Sequence, residues 1–367
     1  MYNKKRIAQT IAQTIALIGL SSKRIGMVNI KDVAEHARVS ITTVSHVINK
    51  TRFVSDELVR RVNKAMAELD YHPNSLARSL RSGRTKTIGL VIPDISNQFF
   101  AEVSRKIEDK GLEYGYSVIL CNTDDDISKE KSYIEVLLAK QVDGIVFIST
   151  GEVSESLKNT FDSNVPIVIA DRNVKDIQSD IVLVDNYLGG YDATKYLIEL
   201  GHQRIGCITG PSPVTPSAQR LQGFRDAMHQ SGLQIDPALI VVGDFRYQSG
   251  EKAMQVLLGH PQPPTAVFAF NDMMALGVIR AVYNKGLKVP EDFSLVGFDD
   301  IPLSRAIYPT LTTMAQPIME MTNVVVDLLI EKIRLRETHA RIKKEKPKYQ
   351  RIVMNTKLIK RESCRAI

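Results

Sequence analysis

Between residues 30 and 69 the apolar positions fall at helical spacing in three short sets. Ile30, Val33, Ala34 and Ala37 recur three and four residues apart and predict one face of a helix. Val44, Val47 and Ile48 predict the apolar face of a second helix, with Ser40 as its N-cap and Arg38 and Val39 as the connection. A third set, Leu58, Val59, Val62, Ala65, Met66 and Leu69, predicts a helix that covers the first two. The opposite face of the second helix carries Thr42, Thr43, Ser45, His46 and Asn49. These are short, donor-rich side chains of the kind that enter a major groove and touch base edges and phosphates. Any small bundle can be made of three amphipathic helices, and a Ser/Thr-rich helix can be merely solvated. The pattern therefore predicts a helix-turn-helix and leaves its partner open.

From residue 87 the rhythm changes. Apolar runs at 88–93, 117–121, 144–149, 166–170, 204–209, 266–270 and 294–298 alternate with amphipathic stretches at 99–114, 129–140, 187–200, 217–231, 248–258 and 272–285. Continuous apolar strands separated by helices predict parallel sheets covered on both faces. Two doubly wound halves follow, the first to about residue 186 and the second to about 315. A helix over 317–335 lies near the crossover, and 351–363 adds a strand and an exposed tail. In such folds ligands bind at the carboxyl ends of the strands, here in the cleft between the halves.

Charge changes the picture of the head. The chain is +7 overall, but residues 1–86 carry 16 Lys/Arg against 6 Asp/Glu, and residues 331–367 carry 13 against 4. That leaves −12 on residues 87–330. A basic head on an acidic body suits phosphate attraction at one end only. The cysteines, Cys121, Cys207 and Cys364, are scattered without metal-ligand spacing; Cys121 and Cys207 sit in apolar runs and read as buried thiols in a reducing compartment. The first 26 residues have a basic start and a semi-apolar run like a signal peptide, but Gln and Thr interrupt it. They read as an N-terminal extension or a poorly ordered arm, too short and polar to span a membrane. Enzyme motifs are missing: no glycine-rich phosphate loop, no GxSxG, no HExxH and no convincing pair of carboxylates. No catalytic residue, metal or cofactor is therefore assigned.

The strand ends carry the remaining chemistry. Asn97, Phe99 and Phe100 follow the first run, and Asp171 and Arg172 follow PIVIA. Arg220 opens a helix after the GPSPVTPSAQ loop, and Phe245 follows IVVGD. Asn271 follows AVFAF, Asp299 follows SLVGF, and Gln316 lies in TMAQP. Singly, Phe100 or Phe245 could be core, Asp299 a helix cap and Arg172 a surface ion pair. Together they are what a sugar ring needs: carboxylates, amides and guanidiniums for the hydroxyl edge, aromatic rings for the C–H faces.

The sequences IKDVAEHARVSITTVSHVINKTRFVS, YHPNSLARSLRS and KTIGLVIPDISNQFFAEV resemble the head, hinge and first core strand of the LacI/GalR family. VDNYLGGYDAT, LIELGHQRIGCITGP, RLQGFRDAM, PTAVFAFNDMMALG, VPEDFSLVGFDDIP and PTLTTMAQP continue the resemblance in order, from about residue 28 to the end. It implies an all-α helix-turn-helix head on an α/β periplasmic-binding-protein-like core with two doubly wound parallel-sheet subdomains. The expected organisation is an extension (1–27), a DNA-binding domain (28–72), a hinge helix and linker (73–86) and an effector-binding and dimerisation core (87–367). The expected subdomains are 87–186 plus 317–342, and 187–316 plus 343–363. Thr42, Thr43, His46, Asn49 and Arg52 match the family's positions for contact with double-stranded operator DNA; in the hinge, Arg78 matches a phosphate contact and Leu80 a minor-groove wedge. His202 in LGHQRIG, tempting as a base, matches a structural turn. The resemblance implies a cytoplasmic homodimeric repressor switched by a small sugar effector, D-ribose as inducer, with a purine corepressor or another sugar as the alternative. Arg172, where a purine-responsive relative has a Trp, and Val214 and Pro216, where it has an Arg and a Thr, weigh against the purine. No leucine-heptad tail follows residue 336, so a tetramerising coiled coil is not expected.

Overall fold

The computed structural model describes residues 28–72, 83–148, 165–172, 178–211, 215–339 and 349–367. The chain divides into two units, Met1–Arg78 and Ser79–Ile367. In the first, helix α1 (Ile30–His36) begins at a capping box: the Asn29 side chain accepts from Lys31 N (2.8 Å), and Asn29 N donates to Asp32 Oδ2 (2.8 Å). Helix α2 (Ile41–Asn49) starts at Ser40, whose hydroxyl accepts from Thr43 N at 3.0 Å, and α3 (Asp56–Glu68) starts after Ser55, which makes no side-chain cap. Val33, Ala34, Ala37, Val44, Val62 and Ala65 are buried between them. Arg61 on α3 donates to the carbonyls of Ala37 (2.7 Å) and Arg38 (3.1 Å), pinning the turn between the first two helices.

The second unit holds two six-stranded sheets among the described residues. The first contains β1 (Thr87–Ile92), β2 (Ser117–Asn122), β3 (Gly144–Phe147), β4 (Ile167–Ala170) and β5 (Asp180–Val184), in the order β2-β1-β3-β4-β5, all parallel. The second repeats that order with β6 (Ile205–Thr209), β7 (Ile240–Val242), β8 (Ala266–Ala269), β9 (Ser294–Asp299) and β10 (Thr312–Ala315). The helices are α4 (Gln98–Glu113) and α5 (Ile127–Ala139) in the first lobe, and α6 (Asn186–Glu199), α7 (Thr215–Gln230), α8 (Tyr247–Leu258), α9 (Asp272–Asn284) and α10 (Pro302–Ala306) in the second. Helix α11 (Ile318–His339) returns to the first lobe, where Met321, Val325, Leu329 and Ile333 join the core with Leu90, Val146 and Val168. The inner strands β3, β4, β5, β6, β8 and β9 are buried along their whole length, as their near-continuous apolar runs require.

Two strands correct the sequence reading of the tail. The expected subdomains place residues 343–363 whole in the second half, yet β11 (Arg351–Met354) pairs parallel with β5 of the first sheet. Only β12 (Lys357–Ile359) joins the second sheet, antiparallel to β10. The chain thus crosses between lobes after β5, after β10 and again between β11 and β12. The end of the chain is also less exposed than expected: Ser363 is buried, and Ile367 N donates to Leu200 O at 2.9 Å.

Candidate functional site

In the head, Ile41 and Thr42 at the start of α2 are exposed, Asn49 at its end likewise, and Thr43 and His46 half-buried. The hydroxyl of Thr43 lies 2.9 Å from that of Ser40, so it belongs to the cap as well as to the outer face. His46 Nδ1 is 2.8 Å from Thr51 Oγ1, which orients its ring, and Asn49 Nδ2 donates back to Ser45 O at 2.8 Å. Arg52 is exposed beside Phe53, which is 95% exposed. Sequence reasoning passed over Ile41 and Phe53 because it looked for polar readers, whereas an apolar side chain can also read a thymine methyl. Leu80 and Arg78 lie outside the described residues, as do the extension and Val214.

In the core, the structure brings all ten sequence-predicted side chains around one pocket between the lobes. Asn97, Phe99, Phe100, Asp171 and Arg172 come from the first lobe, Arg220, Phe245, Asn271 and Asp299 from the second, and Gln316 from the second crossing; Pro216 also lines it. About 310 Å³ of atom-free space, partly open to solvent, lies among them. That is the small end of the range for ligand sites.

The strand and helix ends explain the convergence. Asn97 caps α4, its Oδ1 accepting from Phe99 N at 3.1 Å, so the cap sets the two rings that follow. Phe99 and Phe100 meet edge to face, 5.1 Å apart at 66°. Asn271 caps α9 through Met274 N (2.9 Å) and donates to Phe245 O (2.9 Å). Both ends of its amide are thus engaged in holding the pocket's wall. Arg220 is held by Asn186 Oδ1 (2.8 Å) and by the carbonyl of Phe270, and lies 3.4 Å over the ring of Phe298. Arg172 donates to Asp125 Oδ1 (3.1 Å) and sits 5.5 Å over Phe100. Gln316 Nε2 donates to Asp299 Oδ1 at 2.7 Å. Asn186, Phe298 and Asp125 are not among the predicted residues; the motif VDNYLGG, the run SLVGF and the acid run NTDDD hold them, but nothing local shows what they brace.

The electrostatics are those of a buried, partly neutralised cluster. Burial pushes Asp299 up to about 7, against partial relief from Arg220 and Gln316. Burial also raises Asp171, opposed by Arg172 and Arg220, and lowers Arg220 to about 10. Of the buried side-chain oxygens without a hydrogen-bond partner among the described residues, two belong to the pocket, Asp171 Oδ1 and Gln316 Oε1. A buried acceptor left unmade is costly, so these two oxygens point to a ligand that donates. His202 is a structural residue: burial lowers it, and it lies between Thr265 Oγ1 (2.9 Å) and Arg365 O (3.2 Å). Among the described residues no His/Cys/Asp/Glu cluster could hold a metal, and no helix is long and apolar enough to cross a membrane.

A helix-turn-helix head and a two-lobed α/β core with a polar pocket at its strand ends define a DNA-binding regulator governed by a small molecule. Residues 85–362 match the periplasmic binding proteins and sugar binding domain of LacI family, and residues 29–74 match the bacterial regulatory proteins of the lacI family. The chain belongs to the LacI family of transcriptional regulators, which are not enzymes. It is 44% identical to the ribose operon repressor of Escherichia coli K12 over 309 residues, 84% of this chain and 93% of that protein. It is 41% identical to the HTH-type transcriptional repressor PurR of Aliivibrio salmonicida over 318 residues, 86% of this chain and 95% of that one. Among solved structures, the lac repressor dimer bound to operator and the anti-inducer ONPF superposes with TM-score 0.78 at 28% identity, covering 93% of this chain and all of that one. A LacI-family regulator from Enterococcus faecium with bound ribose gives 0.68 at 29% identity, over 77% of this chain and 99% of its own.

Proposed function

We propose that the protein is a cytoplasmic homodimeric repressor that leaves its operator when D-ribose fills the pocket between the lobes. The observation that carries this reading is the pair of unpartnered buried acceptors, Asp171 Oδ1 and Gln316 Oε1, in a small pocket that also holds Arg172, Arg220 and Asp299. A neutral polyol answers that set: its hydroxyls donate to the two oxygens and accept from the guanidiniums. A planar base is served less well. Phe99 and Phe100 stand at 66° rather than forming parallel walls, and the Arg172 guanidinium lies over Phe100. The ribose operon repressor and the ribose-bound regulator among the similar proteins support the sugar; the PurR relatives keep a purine as the second reading.

In the head, Thr42, Thr43, His46, Asn49 and Arg52 read and grip one half-site, and a second copy reads the other, as in a two-fold dimer on a pseudo-palindrome. An inducer shifts this equilibrium only if it prefers the DNA-incompetent arrangement of the lobes. The test is calorimetric titration of the full chain with ribose, other pentoses and hypoxanthine, paired with operator gel shifts. Ribose should bind and weaken the operator complex. No response to any pentose sinks the reading, and tightening by hypoxanthine replaces it with the purine one.

A further inference from the structure

Among the described residues, an ion pair outside the pocket lining joins the two lobes. Arg246, in the second lobe, donates from Nε to Asp94 Oδ2 at 3.2 Å, in the loop after β1 of the first lobe. Neither residue lines the pocket. Both ends are pre-set. Asp94 is 8% exposed, and its other oxygen accepts from Ser96 N (2.9 Å) and Ser96 Oγ (2.6 Å). Arg246 N donates to Asp244 Oδ1 (2.8 Å), and its neighbour Phe245, a pocket wall, is fixed at φ +67° by Asn271. Arg246 also feels Asp125, the carboxylate that holds Arg172 over the pocket. A rigid carboxylate on one lobe thus faces a cation attached to the pocket wall of the other.

We infer that Asp94 and Arg246 form a cross-cleft latch, present when the lobes are closed and broken when they open. The latch sets how long the ligand stays without touching it. Opening the cleft separates the pair by moving one lobe against the other, so the ligand's escape requires the ion pair to break, while entry into the open cleft does not. This rests on the sugar reading of the pocket only for the choice of ligand.

The test uses the full chain and four variants: Asp94→Asn, Arg246→Gln, the double variant, and Arg246→Lys. Stopped-flow binding of ribose should show koff raised about tenfold in either single variant with kon within about twofold, since such changes fall mainly on dissociation. The double variant should be no worse than the singles, and Arg246→Lys should recover part of the loss. Added salt should raise koff in the parent and leave the double variant flat. Hydrogen exchange of segments 94–100 and 245–250, measured with no sugar present, should quicken severalfold in the variants, the amides being shielded by closure. Unchanged koff, a loss carried by kon, or single effects that multiply in the double variant would overturn the latch. If the parent fails to bind ribose, the sugar reading falls, and the exchange arm alone decides the latch: equal exchange in all chains rejects it.

Discussion

Three of the pocket's side chains stand on backbone that L-residues rarely adopt: Asp171 at φ +63°, Phe245 at +67° and Asp299 at +113°. Such positions are strained and persist only where the surroundings hold them, which is why they gather at functional sites. Here the restraints are visible. Asn271 holds the Phe245 carbonyl, the ring of Phe245 occupies the space where Gly210 lacks a side chain, and Gln316 holds the Asp299 carboxylate. Asn271→Ala frees the Phe245 peptide and uncaps α9; ribose affinity should fall about tenfold, roughly one charge-free hydrogen bond's worth of positioning, in a calorimetric titration. Asp299 yields a pH test. In the unfolded chain its carboxyl ionises near pH 4, whereas in the folded core it holds its proton to about 7. Its contribution to stability is therefore complete below pH 4 and lost as the pH rises through 7. Asp299→Asn removes that loss: the variant should match the parent's unfolding free energy at pH 3.5 and exceed it at pH 8, by at most about 4 kcal/mol, while ribose binding collapses. A variant less stable than the parent at pH 8 contradicts this account of the buried carboxyl.

At the scale of elements, the turn of the head is closed by its backbone, Val39 N donating to Ala34 O (2.9 Å), and clamped from outside by α3. Arg38, inside the connection, has φ +52°, and the carbonyls of Ala37 and Arg38 are satisfied by Arg61 from α3. Arg61→Ala should destabilise the head by about 1–3 kcal/mol, the usual loss for hydrogen bonds to a charged donor. Circular dichroism should report the loss in the head while ribose affinity stays unchanged; equal weakening of both would show that the two units do not stand apart. Which elements were legible followed from locality. The buried strands announced themselves as continuous apolar runs, and the helices by their three-and-four spacing. Strand β5 did not, because SDIVLVDN sets few apolar residues between acids. Strands β11 and β12 are four and three residues long, and nothing in either sequence says which sheet it joins. The pocket was legible for the opposite reason: a doubly wound fold places strand ends together whatever the sequence between them. Its bracing residues were not, since Asn186 reaches Arg220 across 34 positions and Asp125 reaches Arg172 across 47.

The whole molecule sets a basic head against an acidic body, +10 over residues 1–86 and −12 over 87–330. DNA is drawn to one end only, and operator affinity should fall steeply between 50 and 200 mM salt, as phosphate contacts require; a flat dependence in gel shifts would remove the electrostatic role of the head. In the proposed function the body carries the switch. Two lobes linked by three chain crossings can pivot about them, and the pocket, its strained carboxylates and its two orphan oxygens sit where that pivot opens and closes. On the proposed reading, binding in the cleft and binding by the head are coupled, and the coupling is reciprocal: ribose weakens operator binding by the same factor by which operator weakens ribose binding. The direct measurement is operator affinity of the full-length protein across a ribose titration at fixed salt. The account predicts a fall that saturates as the pocket fills and that Asp299→Asn abolishes. Operator affinity that stays constant up to saturating ribose, or that rises, contradicts it.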